Sequence, residues 1–511
     1  MSSLAFPRGS ARGRAGFGSL PDVFSRSGVD VLLAVALMAL ALALLAFLPT
    51  AFNVDSWLAL VAGREVWQSG LPHHEVLTSM SHGVTWIDQQ WLSQLAMYAL
   101  YGLGGLGLVG VANTVLFAGA VAGAVVGARK LGAPARAVLL AFLLCAGLIV
   151  YSHEVRTQEF AMPLFVAVAY LLASDSRAPS RRVYWCLPIL VLWGNLHGSV
   201  TLGALLVALR GVTMAWERRK LLLSSARQWR RPLALAVGAP LCLVATPYGV
   251  SILTYYRTMF FDGSVMKNVT EWQPITSEPV LAVVFFITAA IAVWVIARHR
   301  SRTTLWEQLA LLALAAGSVD VIRNLLFFGL FTLMVLPVAF GLGEGAESGR
   351  QSAVRGRGAI NALLAGTTLA ALLIASAVTM VRPASAIELN YQRTRILTIV
   401  ENLTRADPSL KVLTDVRFAD WLLWRDQALS GRIANDARWE LLTPAQINGL
   451  QDLFGVSGTN WKQGAHGYQL LVLDKKYEPA AAQAFTAEPG SRVLYDDGER
   501  LVILRSAREA G

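Results

Sequence analysis

The chain is poor in charge, poor in cysteine and poorer in acids than in bases, and each shortage excludes something. Of its 511 residues, 15% are charged and 55% hydrophobic. A soluble domain carries about 25% charged residues, so a single soluble globule is excluded. The three cysteines, Cys145, Cys186 and Cys242, all fall inside apolar runs. No disulfide framework follows, and buried thiols are expected. There is no Gly-x4-Gly-Lys-Ser/Thr string, which excludes a P-loop ATPase. His74-Glu75 and His153-Glu154 lack the second histidine of a zinc-protease helix. No Gly-x-Ser-x-Gly elbow occurs.

What is present in quantity is apolar sequence in blocks of about 20 residues, the length that crosses a hydrocarbon core. Eleven such spans are read at 30–49, 103–127, 135–151, 160–173, 183–196, 199–216, 233–247, 279–297, 305–319, 324–341 and 359–381. The formal charge of +11 sits mostly in the short loops between them. With residues 1–27 inside, as a disordered Arg-, Gly- and Ser-rich tail, the bases alternate. Inside loops then hold clusters such as Arg129-Lys130, Arg181-Arg182, Arg218-Arg219-Lys220 and Arg298 with Arg300 and Arg302. Short outside loops hold only Arg64, Arg156, Arg257, Lys267 and Arg323. This is a membrane-topology pattern and not a nucleic-acid footprint. The first apolar run has no small-residue cleavage site and reads as a retained helix.

Two regions then lie outside. One is the loop 51–91, with interfacial helix patterns at Asp55–Gln68 and Gln90–Tyr101. The other, 383–511, is less apolar and mixes helix and strand signals. Strands are expected at Lys411–Thr414, Tyr468–Leu473, Ser491–Tyr495 and Arg500–Leu504. The fold class is therefore a polytopic α-helical membrane protein of about eleven spans (28–382) with a small C-terminal α/β extracytoplasmic domain. Its expected location is a bacterial inner membrane, with the N-terminus cytoplasmic.

Polar residues gather at the outer ends of the spans, in five separate loops. Charges near lipid face a cavity or a partner, so five such loops on one face imply one lined cavity. Nucleotide sugars are absent outside a cell. A transferase there would draw on a lipid-linked donor, with a carboxylate to take the acceptor proton and cations on the leaving phosphate.

At this point several strings resemble the GT-C superfamily of integral-membrane glycosyltransferases, near the bacterial relatives of dolichyl-phosphate-mannose-protein mannosyltransferases. They are Asp55-Ser56-Trp57 with Ala62-Gly63-Arg64, Trp86-Ile87-Asp88 with Trp91-Leu92, Arg156-Thr157-Gln158, and Trp193-Gly194-Asn195-Leu196-His197-Gly198. Thr246-Pro247-Tyr248-Gly249, Glu271-Trp272, Arg323-Asn324 and, more weakly, Asp420-Trp421-Leu422-Leu423-Trp424 complete the set.

The resemblance implies transfer of a sugar from a polyprenyl-phosphate-linked donor to an envelope glycan, lipid or protein. A polysaccharide polymerase or ligase, a transporter and a non-catalytic scaffold are the alternatives. Asp55 matches the essential acid of the first outer loop, and it equally suits a helix N-cap. Glu75 and Asp88 are further catalytic candidates, against a solvated loop carboxylate and a turn residue. Arg156 and Arg323 are expected on the lipid phosphate, or in ion pairs with Glu154 and Asp320. Gln158, Asn195, His197, Arg257, Lys267 and Glu271 complete the expected substrate and phosphate set. His197 also reads as a satisfied interhelical histidine, and Arg257 and Lys267 as headgroup anchors. Trp421, Trp424, Trp439 and Trp461 serve sugar stacking or core packing. The stretches Asn53–Leu58 and Gln89–Trp91 lack the extra acids or histidines of such relatives, so a divalent metal, Mg or Mn, is left open.

Overall fold

The computed structural model describes residues 31–219, 226–261, 263, 269–340, 358–388, 391 and 394–506. The expected tail 1–27 and Lys267 lie outside the described residues.

Helix occupies each of the eleven apolar stretches. The longer elements are α1 (Val31–Ala46), α2 (Val54–Ser69), α3 (Trp91–Lys130), α4 (Ala135–Tyr151), α5 (Gln158–Arg177), α6 (Cys186–Gly194) and α7 (Val200–Glu217). They continue as α8 (Pro279–Arg298), α9 (Leu305–Asp320), α10 (Leu325–Ala339) and α11 (Gly358–Met380). Among the described residues, five helices are long and apolar enough to cross a membrane. The seventh stretch is not one helix. It splits into Arg230–Ala236 and Gly238–Cys242, where Gly238 and Pro240 weaken helical propagation.

The fourth stretch is longer than hydropathy suggests. α5 runs to 20 residues because its polar ends are held by partners. Gln158 meets Arg323, and Asp175 meets Arg210 at 3.0 Å. α10 is the central post, with all fifteen of its residues buried. By contrast, α8 presents Val280, Val283 and Trp294 outward, as a helix against lipid does.

α2 is capped by Asn53, whose side chain accepts from the Ser56 backbone while Ser56 answers the Asn53 backbone N–H. That capping box leaves Asp55 free, which corrects the N-cap reading of Asp55. α2 lies in tight contact with the first turns of α3. At Gly63 an added Cβ would run into the Gln94 carbonyl and the Tyr98 side chain. Gly63→Ala is expected to lower stability by about 1–3 kcal/mol, because the obstacle is backbone. A thermal-unfolding scan in detergent checks this, and an unchanged melting temperature would show that α2 has slack. α3 itself kinks at Gly104-Gly105, where Gly105 has φ +65°, a conformation that glycine adopts without penalty.

The C-terminal region builds a four-stranded sheet from β1 (Val412–Thr414), β2 (Leu470–Asp474), β3 (Arg492–Asp496) and β4 (Arg500–Leu504). The order is β1-β2-β4-β3, with β1 parallel to β2 and the other pairs antiparallel. Alternation along β2 sends Leu470 and Val472 to one core, and Leu471 and Leu473 to another. The first core is covered by α12 (Thr394–Ala406) and α13 (Val416–Arg425), the second by α14 (Pro444–Gly455) and α15 (Pro479–Thr486). α13 is wedged between the sheet and α2, where Trp57, Leu60 and Val61 share the core of Phe418, Trp421 and Leu422. The first loop also pairs with the sheet's edge. Thr78 bridges Ile433, which bridges Val412 in β1. Ser79 and Met80 donate to the Ile433 and Ala434 carbonyls at 2.8 and 3.0 Å.

Candidate active site

Four chain segments meet at one end of the helix bundle. α2 brings Asp55 in its first turn. The link between α4 and α5 brings Glu154 and Arg156. That link is pinned on both sides of Val155, whose N–H donates to Ala51 O at 2.9 Å and whose carbonyl accepts from Ser56 Oγ. The turn Thr270–Trp272 brings Glu271, and the turn Ile322–Asn324 brings Arg323. These last two turns are tied by Ile322 N–H donating to Gln273 O at 3.1 Å.

The centre is Arg156, 5% exposed. Its Nη1 contacts Glu271 Oε1, lies 2.9 Å from Glu154 Oε2 and stands 3.7 Å from Asp55 Oδ2. Arg323 Nε lies 3.1 Å from Glu271 Oε2 and donates to Gln158 Oε1 at 3.1 Å. The expected pair of Arg323 with Asp320 is thus replaced by one with Glu271. Glu271 sits between two cations and Asp55 at the edge of them, with its side chain about a third exposed.

The electrostatics separate the acids. Burial pushes Glu271 up, but the charges of Arg156 and Arg323 and a hydrogen bond from Arg156 outweigh it and hold the carboxyl at about 2. Asp55 moves the other way. Burial and then the Glu271 charge raise it, against Arg156 and Arg323. Burial likewise raises Glu154, against Arg156. One carboxylate firmly ionised beside one with a raised pKa is how a site separates an anchor from a proton acceptor.

The loop after α6 flanks this centre. It is docked on the start of α3 by Leu92 N–H to Asn195 O, Trp91 Nε1 to Asn195 Oδ1, and Ser93 Oγ to Leu196 O. Asn195 Nδ2 donates to the Val191 and Ala245 carbonyls, so the whole carboxamide is spent on holding the loop. His197 is 3% exposed. Its Nδ1 faces Ser199 Oγ at 2.8 Å and accepts from Ser199 N–H. Burial, then the Arg323 and Arg156 charges, pushes it well below the ordinary histidine value, so it stays neutral. Arg257 is exposed on the helix Ile252–Phe261, and no described contact joins it to the cluster.

Glu75 and Asp88 are not brought to this centre. Glu75 is fully buried. Oε1 accepts from the Leu77 and Thr78 N–H groups at 2.6 and 2.7 Å, and Oε2 pairs with Arg438 at 2.5 Å. That is a tether to the C-terminal region, not an acid facing a substrate. Asp88 is 3% exposed and caps the turn into α3 by accepting from Gln90 N–H. Trp421 and Trp424 are buried in packing, and Trp439 and Trp461 border the second core.

A second polar group escaped the sequence reading. Arg438 pairs with both Glu75 and Asp436 and lies 4.2 Å over the Trp86 ring. Asp420 is sealed beside them, raised well above the ordinary value by burial and then by Asp436. Asp88 and Glu440 are each pushed by burial to about 7. A carboxyl with a raised folded pKa holds a proton that the unfolded chain releases, so its contribution falls as pH rises between the two values. Asp88→Asn is therefore expected to gain on the parent in melting temperature as pH rises from about 4 to about 7. A difference that does not change with pH would show Asp88 to be solvated.

No family model matches the sequence, and no curated protein does. Solved structures do match. ArnT of Cupriavidus metallidurans, bound to undecaprenyl phosphate, aligns with TM-score 0.53 and 14% identity over 94% of this chain and 99% of its own. The oligosaccharyltransferase AglB of Archaeoglobus fulgidus, in complex with an inhibitory peptide and a dolichol-phosphate, aligns with TM-score 0.51 and 12% identity over 93% and 74%. An Archaeoglobus fulgidus oligosaccharyltransferase in its apo form gives TM-score 0.50. The fold is GT-C-like. Asp55, the link before α5 and the turn before α10 thus meet at one end of a GT-C-like bundle.

Asp55, Glu154 and Glu271 each offer an oxygen, and the three atoms lie within 4.8 Å of one another. Mg2+ and Mn2+ favour such oxygens at about 2.0–2.2 Å. Yet the space where they converge already holds Arg156 Nη1. As arranged, the residues do not fit a divalent cation.

Proposed function

We propose that this chain is a glycosyltransferase that moves a sugar from a polyprenyl-phosphate-linked donor to an envelope glycan, lipid or protein acceptor. It acts on the non-cytoplasmic face of a bacterial inner membrane, in contact with membrane lipids. Residues 28–382 form the membrane-embedded part, with residues 1–27 cytoplasmic and 383–511 outside. The observation that carries the reading is the convergence of Asp55, Glu154, Arg156, Glu271 and Arg323 from four segments at one end of a GT-C-like bundle. ArnT was solved with undecaprenyl phosphate and AglB with dolichol-phosphate, which is why a lipid phosphate is the donor class.

The acceptor hydroxyl attacks the anomeric carbon, forming the new C–O bond. The bond from that carbon to the phosphate oxygen breaks, and the lipid phosphate leaves with the electron pair. Asp55 takes the hydroxyl proton, its raised pKa suiting a general base. Arg323, 20% exposed with Glu271 behind it, meets the growing phosphate charge. Arg156 fixes Asp55 and Glu271 relative to each other. Gln158 orients Arg323, and neutral His197 borders the same space without adding charge.

The test is transfer by the purified chain in lipid, offered a panel of radiolabelled polyprenyl-phosphate sugars and envelope acceptors. Turnover of one donor supports the reading. No donor binding and no turnover across the panel sinks it, and a non-catalytic scaffold then takes its place.

A further inference from the structure

We infer that Arg156 is a built-in cation at the position a divalent metal would otherwise fill, so that the site works without exchangeable metal. The inference rests on the glycosyltransferase reading only for its last clause. The occupancy of the position stands on geometry alone.

A single nitrogen, Arg156 Nη1, is the common neighbour of Glu271 Oε1, Glu154 Oε2 and Asp55 Oδ2. Three carboxylate oxygens within 4.8 Å of one another are the makings of a hard-cation site. A cation bonded to one oxygen of each residue would crowd the nitrogen that already contacts all three carboxylates. Both groups are cations, so the two also repel. They cannot share the position.

Nor is Arg156 free to swing aside. It is 5% exposed, and Val155, the residue before it, is hydrogen-bonded through both its N–H and its carbonyl. The Arg156 carbonyl accepts from Glu159 N–H in the first turn of α5 at 3.2 Å. Displacing the side chain would strip Glu271 of its nearest cation and leave a guanidinium without a partner in a low-exposure site, which is costly. The second cation, Arg323, approaches Glu271 from its other oxygen and so adds charge without competing for the same point. A guanidinium also differs from a metal in kind. It gives directed N–H donors and cannot be chelated away.

The discriminating experiment is Mn2+ binding to the full-length chain in detergent or nanodiscs, read by the loss of the free-ion electron paramagnetic resonance signal. The parent is expected to show the same titration as Glu271→Gln, with no site at the cluster. Arg156→Met, which keeps bulk and removes the charge, is expected to gain one bound Mn2+ per chain, lost again in Arg156→Met with Glu271→Gln. A parent site that disappears in Glu271→Gln overturns the inference, and this arm needs no change at Arg156. A folded Arg156→Met that gains no site overturns it as well. The resonance readout does not depend on turnover, so it fails or succeeds separately from the transferase reading. Where turnover is measured, the parent's rate is expected to survive chelation by EDTA unchanged, and loss of that rate overturns the metal-free clause.

Discussion

On the proposed function, Asp55→Asn is expected to lower kcat for transfer by about 10²–10⁴-fold, the usual contribution of a positioned general base. Donor binding is expected to change little, because the proposed function sets the lipid phosphate against Arg323 rather than Asp55. The stronger form of this prediction is a pH profile. A base must be ionised to act, so kcat/KM falls on the acid side as Asp55 takes up a proton. Burial and the Glu271 charge raise Asp55 above its ordinary 3.8, and the acid limb is expected above that value. Glu271→Gln removes one of the two raising influences. It also releases Arg156 and Arg323, which lower Asp55. Both changes have the same sign, so the acid limb moves to lower pH in Glu271→Gln. An acid limb that stays in place, or an Asp55→Asn variant that keeps its rate while remaining folded, would remove Asp55 from the chemistry. It would then be an ordinary member of an ion cluster.

How far the sequence carried the reading depends on the range over which each feature is determined. Apolar blocks, loop charge and strand alternation are local, and helix occupies each apolar stretch while the four strands lie close to where the alternation puts them. Placement at one end of the bundle also follows from local facts. Asp55 lies in the first turn of a helix that mixes apolar and polar residues, Arg156 and Arg323 each precede an apolar one, and alternation of direction brings such ends together. Partner choice is not local. Arg323 faces Glu271, 52 positions away in the chain, rather than Asp320 on its own turn. Nothing in either string signals that. Asn53 against Asp55 as the cap of α2 was a matter of one turn's backbone, and both residue types cap equally well.

Glu75 shows the other limit. A histidine-rich loop with a carboxylate looks like chemistry in a string. In the fold that carboxylate is closed off by Leu77, Thr78 and Arg438. Its partner lies some 360 residues later, in a stretch, Asn435-Asp436-Ala437-Arg438, that has no catalytic signature. The same holds at the far end of α5, where Asp175 is gripped by Arg210 and Arg231, and Glu307 by Arg177 in a two-point contact. Buried ion pairs between distant helices fix how those helices meet, and hydropathy sees them only as polar interruptions that shorten a span.

Arg438→Met is the second large expectation, and it tests whether the C-terminal region holds the site in shape. The guanidinium has three attachments: Glu75 in the first loop, Asp436 two residues before it, and the Trp86 face. Methionine matches the stem and removes the charge, leaving two carboxylates buried without a counter-ion. Breaking such a pair from one side costs about 3–5 kcal/mol, and the lost ring contact adds to that. The damage has a direction. From Trp86 the chain runs through Asp88 to Gln90, which accepts from Thr157, the neighbour of Arg156. Loosening the Arg438 clasp therefore loosens the segment that backs the central arginine. The expected result is a large fall in melting temperature together with a drop in kcat/KM at temperatures where the variant is still folded. Glu75→Gln combined with Arg438→Met should recover part of the stability, since one stranded charge is gone. Full activity in a destabilised but folded Arg438→Met would mean that the clasp secures the C-terminal region alone, and that the shape of the site is set within the helix bundle.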